Sequence, residues 1–133
     1  MSVRPINFRA SCVKTLSAVE AEKTRSNQHE FNGVLQLKNL FGDEKIQMTV
    51  SFSTRGRNDI CTSGLTWYDA REAHATRSEY RLYFQSNPVM ESAKEGDNIV
   101  IGFDLQGNIH CELIIQGAPG YAATTGWVAN SAQ

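Results

Sequence analysis

Thr66 to Phe84 reads TWYDAREAHATRSEYRLYF, and its last six residues decide the reading of the fold. They alternate polar and apolar side chains, and on a strand successive side chains point to opposite faces. Tyr80, Leu82 and Phe84 therefore take one face, and Glu79, Arg81 and Tyr83 the other. The first set suits a core. The second sets an acid, a guanidinium and a phenol in a row on an open face. An arginine fork matches O6 and N7 of guanine, and a glutamate accepts from N4 of cytosine. A G·C-rich duplex is one target such a face can read. The plain alternative is a solvated face with a cross-strand ion pair. Arg71 and Arg77 just upstream, with Arg55, Arg57 and Asn58 before them, weigh toward the reading face.

Working outward, the upstream chain holds several further elements. Residues 1–10 read as a lead-in, with Pro5 opposing regular structure, and Ser11 to Leu16 as a first strand. Glu20 to Asn32, EAEKTRSNQHEFN, has only Ala21 and Phe31 as apolar residues and cannot bury itself. Long polar loops in small domains are more often functional than idle. This one offers Lys23 and Arg25 for phosphates and Asn27, Gln28 and His29 for base edges. A solvated loop ended by the Asn32-Gly33 turn is the equal alternative. Val34 to Phe41 has helical spacing and stops at Gly42. Ile46 to Phe52 alternates as a half-buried strand, Ser53 to Gly64 is turn-rich, and Leu65 to Asp69 is a short strand.

Downstream, Pro88 suits the first position of a short helix whose inner side is Val89, Met90 and Ala93. Glu95-Gly96-Asp97 is a tight turn. Ile99–Phe103 and Ile109–Gln116 are strands joined at Gly107-Asn108. The Gly-rich end after Gln116 reads as a tail or linker, with Trp127 as its one candidate for packing back. The expectation is one domain over residues 1–116 and a tail over 117–133. Six or so strands with two short helices, and no βαβ alternation, favour a mainly β barrel or strongly bent sheet capped by the helices.

Composition sets bounds. A chain of 133 residues with 41% hydrophobic and 20% charged content supports one ordinary core. The net charge is −1, but residues 1–85 hold 12 of the 13 Lys and Arg and 9 of the 14 acids. A basic front and an acidic back are compatible with one nucleic-acid face, because phosphates respond to local clusters. Cys12, Cys61 and Cys111 are odd in number and lack C-x-x-C spacing, which argues against zinc and for reduced thiols in a cytoplasmic protein. No apolar run reaches membrane-spanning length, and the first residues lack the apolar segment of a secretion signal.

Signals for catalysis are thin. Asp43-Glu44-Lys45 has the acid-x-Lys spacing of Mg²⁺-dependent nucleases, but no partner acid on a neighbouring strand is evident, so it reads as a solvated turn. His29, His74 and His110 share no pattern with Cys, Ser or acids, and no phosphate-cradling glycine motif occurs. No cofactor and no metal are expected, and the chain alone is expected not to be an enzyme. A second reading is a small-molecule or peptide-binding β-barrel with Trp67, Tyr68, Tyr80 and Phe84 as pocket walls, though core packing suits Tyr80 and Phe84 better.

Several blocks of this sequence resemble the amino-terminal DNA-binding domain of EcoRII-like type II restriction endonucleases. They are Leu16–Ala21, Arg25–Val34, Leu65–Glu72, Thr76–Phe84 and Ala93–Asp97 with the apolar strand that follows. The likeness runs over about Lys14 to Ile115, and the two long blocks are the specific ones. It implies a DNA-binding pseudobarrel, similar in fold to the DNA-binding domain of plant auxin-response factors, with two protruding arms that grip the major groove. In EcoRII-like enzymes this domain binds a second copy of the recognition site and relieves autoinhibition of a separate catalytic domain. The first arm falls on Lys23, Arg25, Ser26, Asn27, Gln28, His29, Glu30 and Asn32. The second falls on Arg71, Thr76, Arg77, Ser78, Glu79 and Arg81, with Arg77, Glu79 and Arg81 at the base-reading positions. Asn58 is a further candidate contact. The tail after Gly117 matches poorly and no catalytic domain follows, so the chain is expected to be either a piece of such an enzyme, with a nuclease domain as partner, or a free-standing binding domain.

Overall fold

A computed structural model describes residues 8–18, 21–22, 30–32, 35–57, 60–70, 79–124 and 126–131. Among them are β1 (Phe8–Thr15), β2 (Glu30–Asn32), α1 (Leu35–Phe41), β3 (Ile46–Thr54), β4 (Ile60–Asp69), β5 (Tyr80–Phe84), α2 (Pro88–Glu91), β6 (Asn98–Asp104), β7 (Ile109–Ile114) and β8 (Val128–Ser131). All the strands join one sheet in the order β2-β5-β4-β3-β7-β6-β1-β8. Neighbours run antiparallel except β3 and β7, which are parallel. The sheet curls strongly into an open half-barrel, so the mainly β, bent-barrel expectation holds. Two strands begin earlier than read, β1 at Phe8 and β4 at Ile60 inside the stretch taken as turn-rich, whereas β7 ends at Ile114, short of Gln116.

Curling follows from the alternation. One face of the long strands is apolar, and rolling it inward removes it from water. Val50, Phe52, Leu65, Trp67, Leu82, Phe84, Ile99, Ile101, Cys111 and Leu113 are all buried. The helices close the interior. α1 contributes Leu37 and Phe41 and ends at Gly42, whose φ of +85° lets its N–H reach the Lys38 carbonyl at 2.7 Å. α2 is capped by the Asn87 side chain, which accepts from the Met90 N–H at 3.0 Å, and it buries Val89, Met90 and the following Ala93.

Two chains of aromatic rings cross the interior. One runs Trp127–Phe31–Phe84–Phe52, with centroid separations of 5.6, 5.7 and 6.1 Å. The other runs Phe103–Phe41–Trp67–Tyr80 at 6.1, 5.4 and 5.1 Å. The first matters most for closure, because Phe31 lies on edge strand β2 and Trp127 immediately precedes edge strand β8. Their edge-to-face contact brings together the two edges of the sheet.

The stretch from 117 onward, read from sequence as a tail or linker, is part of this architecture. β8 pairs with β1 from Ala10↔Ser131 to Val13↔Val128. Upstream of it, the Thr15 and Thr124 side chains each accept the other's backbone N–H, at 2.8 and 3.0 Å, and the Ala122 N–H donates to Asn98 at 2.8 Å. Gly120, with φ of +90°, packs on Arg55, where a Cβ would fall 2.1 Å from Nη1. Arg55 has no room to retreat, because its Nη2 donates to the buried Glu112 carboxylate at 2.6 Å.

Two stability measurements check this account. Trp127→Ala should cost about 3–5 kcal/mol in urea unfolding, the usual loss for a large buried aromatic. Glu112→Ala should also cost about 3–5 kcal/mol, because it leaves the Arg55 charge largely buried without its partner.

Candidate functional site

β5 gives the alternation its geometry. Leu82 and Phe84 are buried, and the Tyr80 ring stacks on Trp67. On the other face Tyr83 is exposed, and the Glu79 and Arg81 side chains each keep 37% of their surface in solvent. Arg81 donates from both Nε and Nη2 to Glu79 Oε2, the Nε contact being 3.0 Å. An ion pair is thus present between residues two apart at the start of β5.

The backbone beneath this pair is held at both ends of Glu79. Its N–H donates to Asp69 Oδ1 at 2.7 Å, and its carbonyl accepts the Ala70 N–H at 2.7 Å. These bonds close the stem from which residues 71–78 depart. On the inner face the Tyr80 hydroxyl donates to the Asp43 carbonyl at 2.5 Å, and the Trp67 indole N–H donates to the Gly42 carbonyl at 2.9 Å. Lys38 lies 5.1 Å from the Tyr80 ring centroid and 3.4 Å from the Asp43 carboxylate. The turn after α1 is therefore clamped to the start of β5.

β2 lies along the outer edge of β5, with Glu30 opposite Tyr83, Phe31 opposite Leu82 and Asn32 opposite Arg81. The polar segment 23–29 runs straight into Glu30, and the polar segment 71–78 runs straight into Glu79. The two therefore join the same pair of strands. Their junctions are four residues apart along β5, about 14 Å at roughly 3.4 Å per residue.

Of the predicted contact residues, Glu79 and Arg81 are brought together on this exposed face. Glu30 and Asn32 occupy register positions beside Tyr83 and Arg81. Lys23, Arg25, Ser26, Asn27, Gln28, His29, Asn58, Arg71, Thr76, Arg77 and Ser78 lie outside the described residues. Arg55 and Arg57 do not join the group. They occupy the turn between β3 and β4, at the far end of β4 from Asp69, and Arg55 is spent on Glu112. Sequence reasoning missed Asp69, and the signal was available: an aspartate closing a strand before a polar loop is well placed to accept a nearby backbone N–H.

The acidic back is also not a surface. Asp97 is buried and accepts from the Lys94 and Gln116 N–H groups at 3.0 Å each, and Glu112 is buried against Arg55. Asp104 organises the β6–β7 turn. The Asn108 N–H foremost, then His110 and the Gln106 N–H, hold its carboxyl below the usual range against the opposing effect of burial. Its ionised form obliges His110 Nε2, 2.9 Å away, to carry the proton. Of the five acids in this part of the chain, Glu91 and Glu95 are the exposed ones.

Three of the four pocket walls of the small-molecule reading are taken up by core packing. Trp67 and Phe84 are core residues and Tyr80 packs against them. A cleft of about 420 Å³ opens elsewhere, where β3 diverges from the β6–β7 hairpin, lined by Met48–Ser51 and by Gly107–His110 among others. It is two strands away from Arg81. Asp43, Glu44 and Lys45 lie exposed in the α1–β3 turn, and no metal-sized group of His, Cys, Asp or Glu occurs among the described residues. None of the three cysteines is in a disulfide. Burial pushes the Cys12 thiol up to about 11 and the Cys111 thiol higher still, so both stay protonated at neutral pH.

Asp69→Ala removes the acceptor for the Glu79 amide. That amide should then exchange with solvent about tenfold faster, while the amides of β6 stay protected; both are read by hydrogen exchange. No protein-family model matches the chain, and no curated protein matches it in sequence.

Proposed function

We propose that this chain binds double-stranded DNA sequence-specifically through the major groove. Its role would be that of an effector or targeting domain akin to those of EcoRII-like restriction endonucleases, either as a free-standing relative or beside a separate nuclease domain. One observation carries the reading. The partly exposed Glu79–Arg81 pair sits at the start of the strand pair that two polar, cation-bearing segments run into, with junctions about 14 Å apart, close to the major-groove width of about 12 Å. The curled half-barrel and the sequence resemblance over Lys14–Ile115 support it.

The division of labour follows from chemistry. Lys23, Arg25, Arg71 and Arg77 are the cations suited to phosphates, which set affinity without reading sequence. Glu79 and Arg81 carry the donors and acceptor that distinguish base pairs. A rigid strand pair beneath them fixes their position far better than a loop would. Recognition is the whole of the chain's task in this reading, and cleavage belongs to another domain. No helix among the described residues is long and apolar enough to cross a membrane. A cytoplasmic location belongs to the proposal. The cleft beside β3 falls within the size range of small-molecule sites, about 300–1,000 Å³, and a ligand there is the second reading.

Selection of bound duplexes from a random pool tests the proposal, followed by affinity measurements over a salt series. A defined short motif should emerge. With about five phosphates contacted, log K should fall against log salt with a slope of roughly −4.5. Arg81→Ala should cost about 1–3 kcal/mol at one base pair and relax the preference there, whereas Lys23→Ala should weaken all duplexes alike. A pool that shows no enrichment, with binding indifferent to salt, would sink the DNA reading and favour the cleft.

A further inference from the structure

We propose that the cleft beside β3 binds a neutral, polyhydroxylated ring, the chemistry of a mono- or disaccharide. The inference rests on the second reading, in which this cleft holds a small molecule, and names its ligand class. It holds or fails independently of DNA recognition at β5.

The cleft arises from the way the sheet is paired. β3 and β7 run parallel and pair from Ser51↔His110 to Thr54↔Leu113. β7 begins at Ile109, after a turn in which Gly107 takes a φ of +87°. Met48 to Val50 therefore have β4 on one side and the opening, not a strand, on the other. Its volume of about 420 Å³ suits a small molecule. Two kinds of group line it. Met48, Phe103 and Ile109 form an apolar floor continuous with the core. Thr49, Ser51 and Thr62 bring hydroxyls, and Asn108 brings an amide. Ser51 and Thr62 are directly opposite in register, so their hydroxyls share one face of the sheet.

The charge pattern selects the ligand. Among the described residues no Lys, Arg, Asp or Glu lines the cleft. Arg9 lies 5.8 Å from the Phe103 ring centroid but is not part of the lining. The titratable group in the wall is His110, and the Asp104 carboxylate 2.9 Å from its Nε2 keeps the proton there. Its Nδ1 is buried and has no partner among the described residues. In that tautomer Nδ1 is an acceptor, so what it lacks is a donor. An anion would bring one more acceptor and find no counter-charge in the wall, and a cation would exchange its water for neutral groups alone. A sugar meets both kinds of lining. Its hydroxyls donate and accept, as those of Thr49, Ser51 and Thr62 do, and they supply a donor beside the imidazole. The C–H face of its ring covers Met48 and Phe103.

The experiment titrates the full chain and follows its backbone amides by NMR. The probes are glucose and the neutral disaccharides maltose, cellobiose, lactose and sucrose, with glucose phosphate as the charged comparator. At least one neutral sugar should give saturable shifts at Thr49, Ser51, Thr62 and His110, with millimolar affinity that is the same at low and high salt. Glucose phosphate should bind no more tightly than glucose. Ser51→Ala and Thr62→Val each remove one hydroxyl and should each weaken that sugar by about three- to tenfold. Unchanged β6 amide shifts in both variants report that the fold is kept. Tighter binding of glucose phosphate at these amides would overturn the neutral class while keeping the cleft as a ligand site. Unaltered sugar affinity in both variants would do the same. Silence of these amides toward every probe would overturn the proposal outright. Duplex selection is untouched by any of these results, so DNA recognition is judged separately.

Discussion

The contact between Phe31 and Trp127 is the constraint on which the architecture depends. An open eight-stranded sheet has two edges, and a curled one must hold those edges near each other or flatten. Here β2 supplies Phe31 and the entry to β8 supplies Trp127, at 5.6 Å and nearly perpendicular. β2 has three residues in the sheet, too short to hold itself against β5 by backbone bonds alone. Its place is secured by Phe31, buried between Phe84 and Trp127. The register of β2 on β5 puts Asn32 beside Arg81 and Glu30 beside Tyr83. The closing of the barrel and the layout of the exposed site are thus one event.

The inner and outer faces of β5 divide the work. Tyr80 lies between Glu79 and Arg81 in sequence but points the opposite way, onto Trp67 and the Asp43 carbonyl. Its anchoring transmits the rigidity of the core to the two groups on the surface. Asp69 completes the support from β4. A site on a strand braced from both sides holds its groups closely in position, whereas the polar segments that precede it in sequence add charge. In the DNA-binding reading that stiffness falls to the residues assigned to base contacts, which tolerate less error than phosphate contacts do.

Much of this was legible in the letters, and the misses have physical causes. The alternation at Tyr80–Phe84 and Ile46–Phe52, the stop at Gly42 and the proline-led helix at Pro88 are local signals, and local signals survive folding. β2 was invisible because a three-residue strand has no periodicity to read; tertiary burial of Phe31 decides it. β8 was hidden by the small, Gly-rich residues before it, although Trp127 was the right clue. Arg55 misled because sequence proximity to Asn58 says nothing about the far end of β4, where Glu112 claims its charge. The outward face of Glu79 and Arg81 was foreseeable, but their pairing with each other was not, since alternation fixes a side chain's face and leaves its partner open.

The net charge of −1 shows why totals mislead about partners. Asp97 and Glu112 are consumed inside the fold, one on backbone N–H groups and one on Arg55. Asp104 is committed to the β6–β7 turn. An acid used this way projects little field into solvent, because its hydrogen-bond donors and counter-charge answer it at close range. Most of the basic residues fall instead in the first 85 positions, with Lys23, Arg25, Arg71 and Arg77 in the two polar segments that precede Glu30 and Glu79 in sequence. In the DNA-binding reading, what a polyanion would respond to is the uneven surface left after internal pairing, not the total charge.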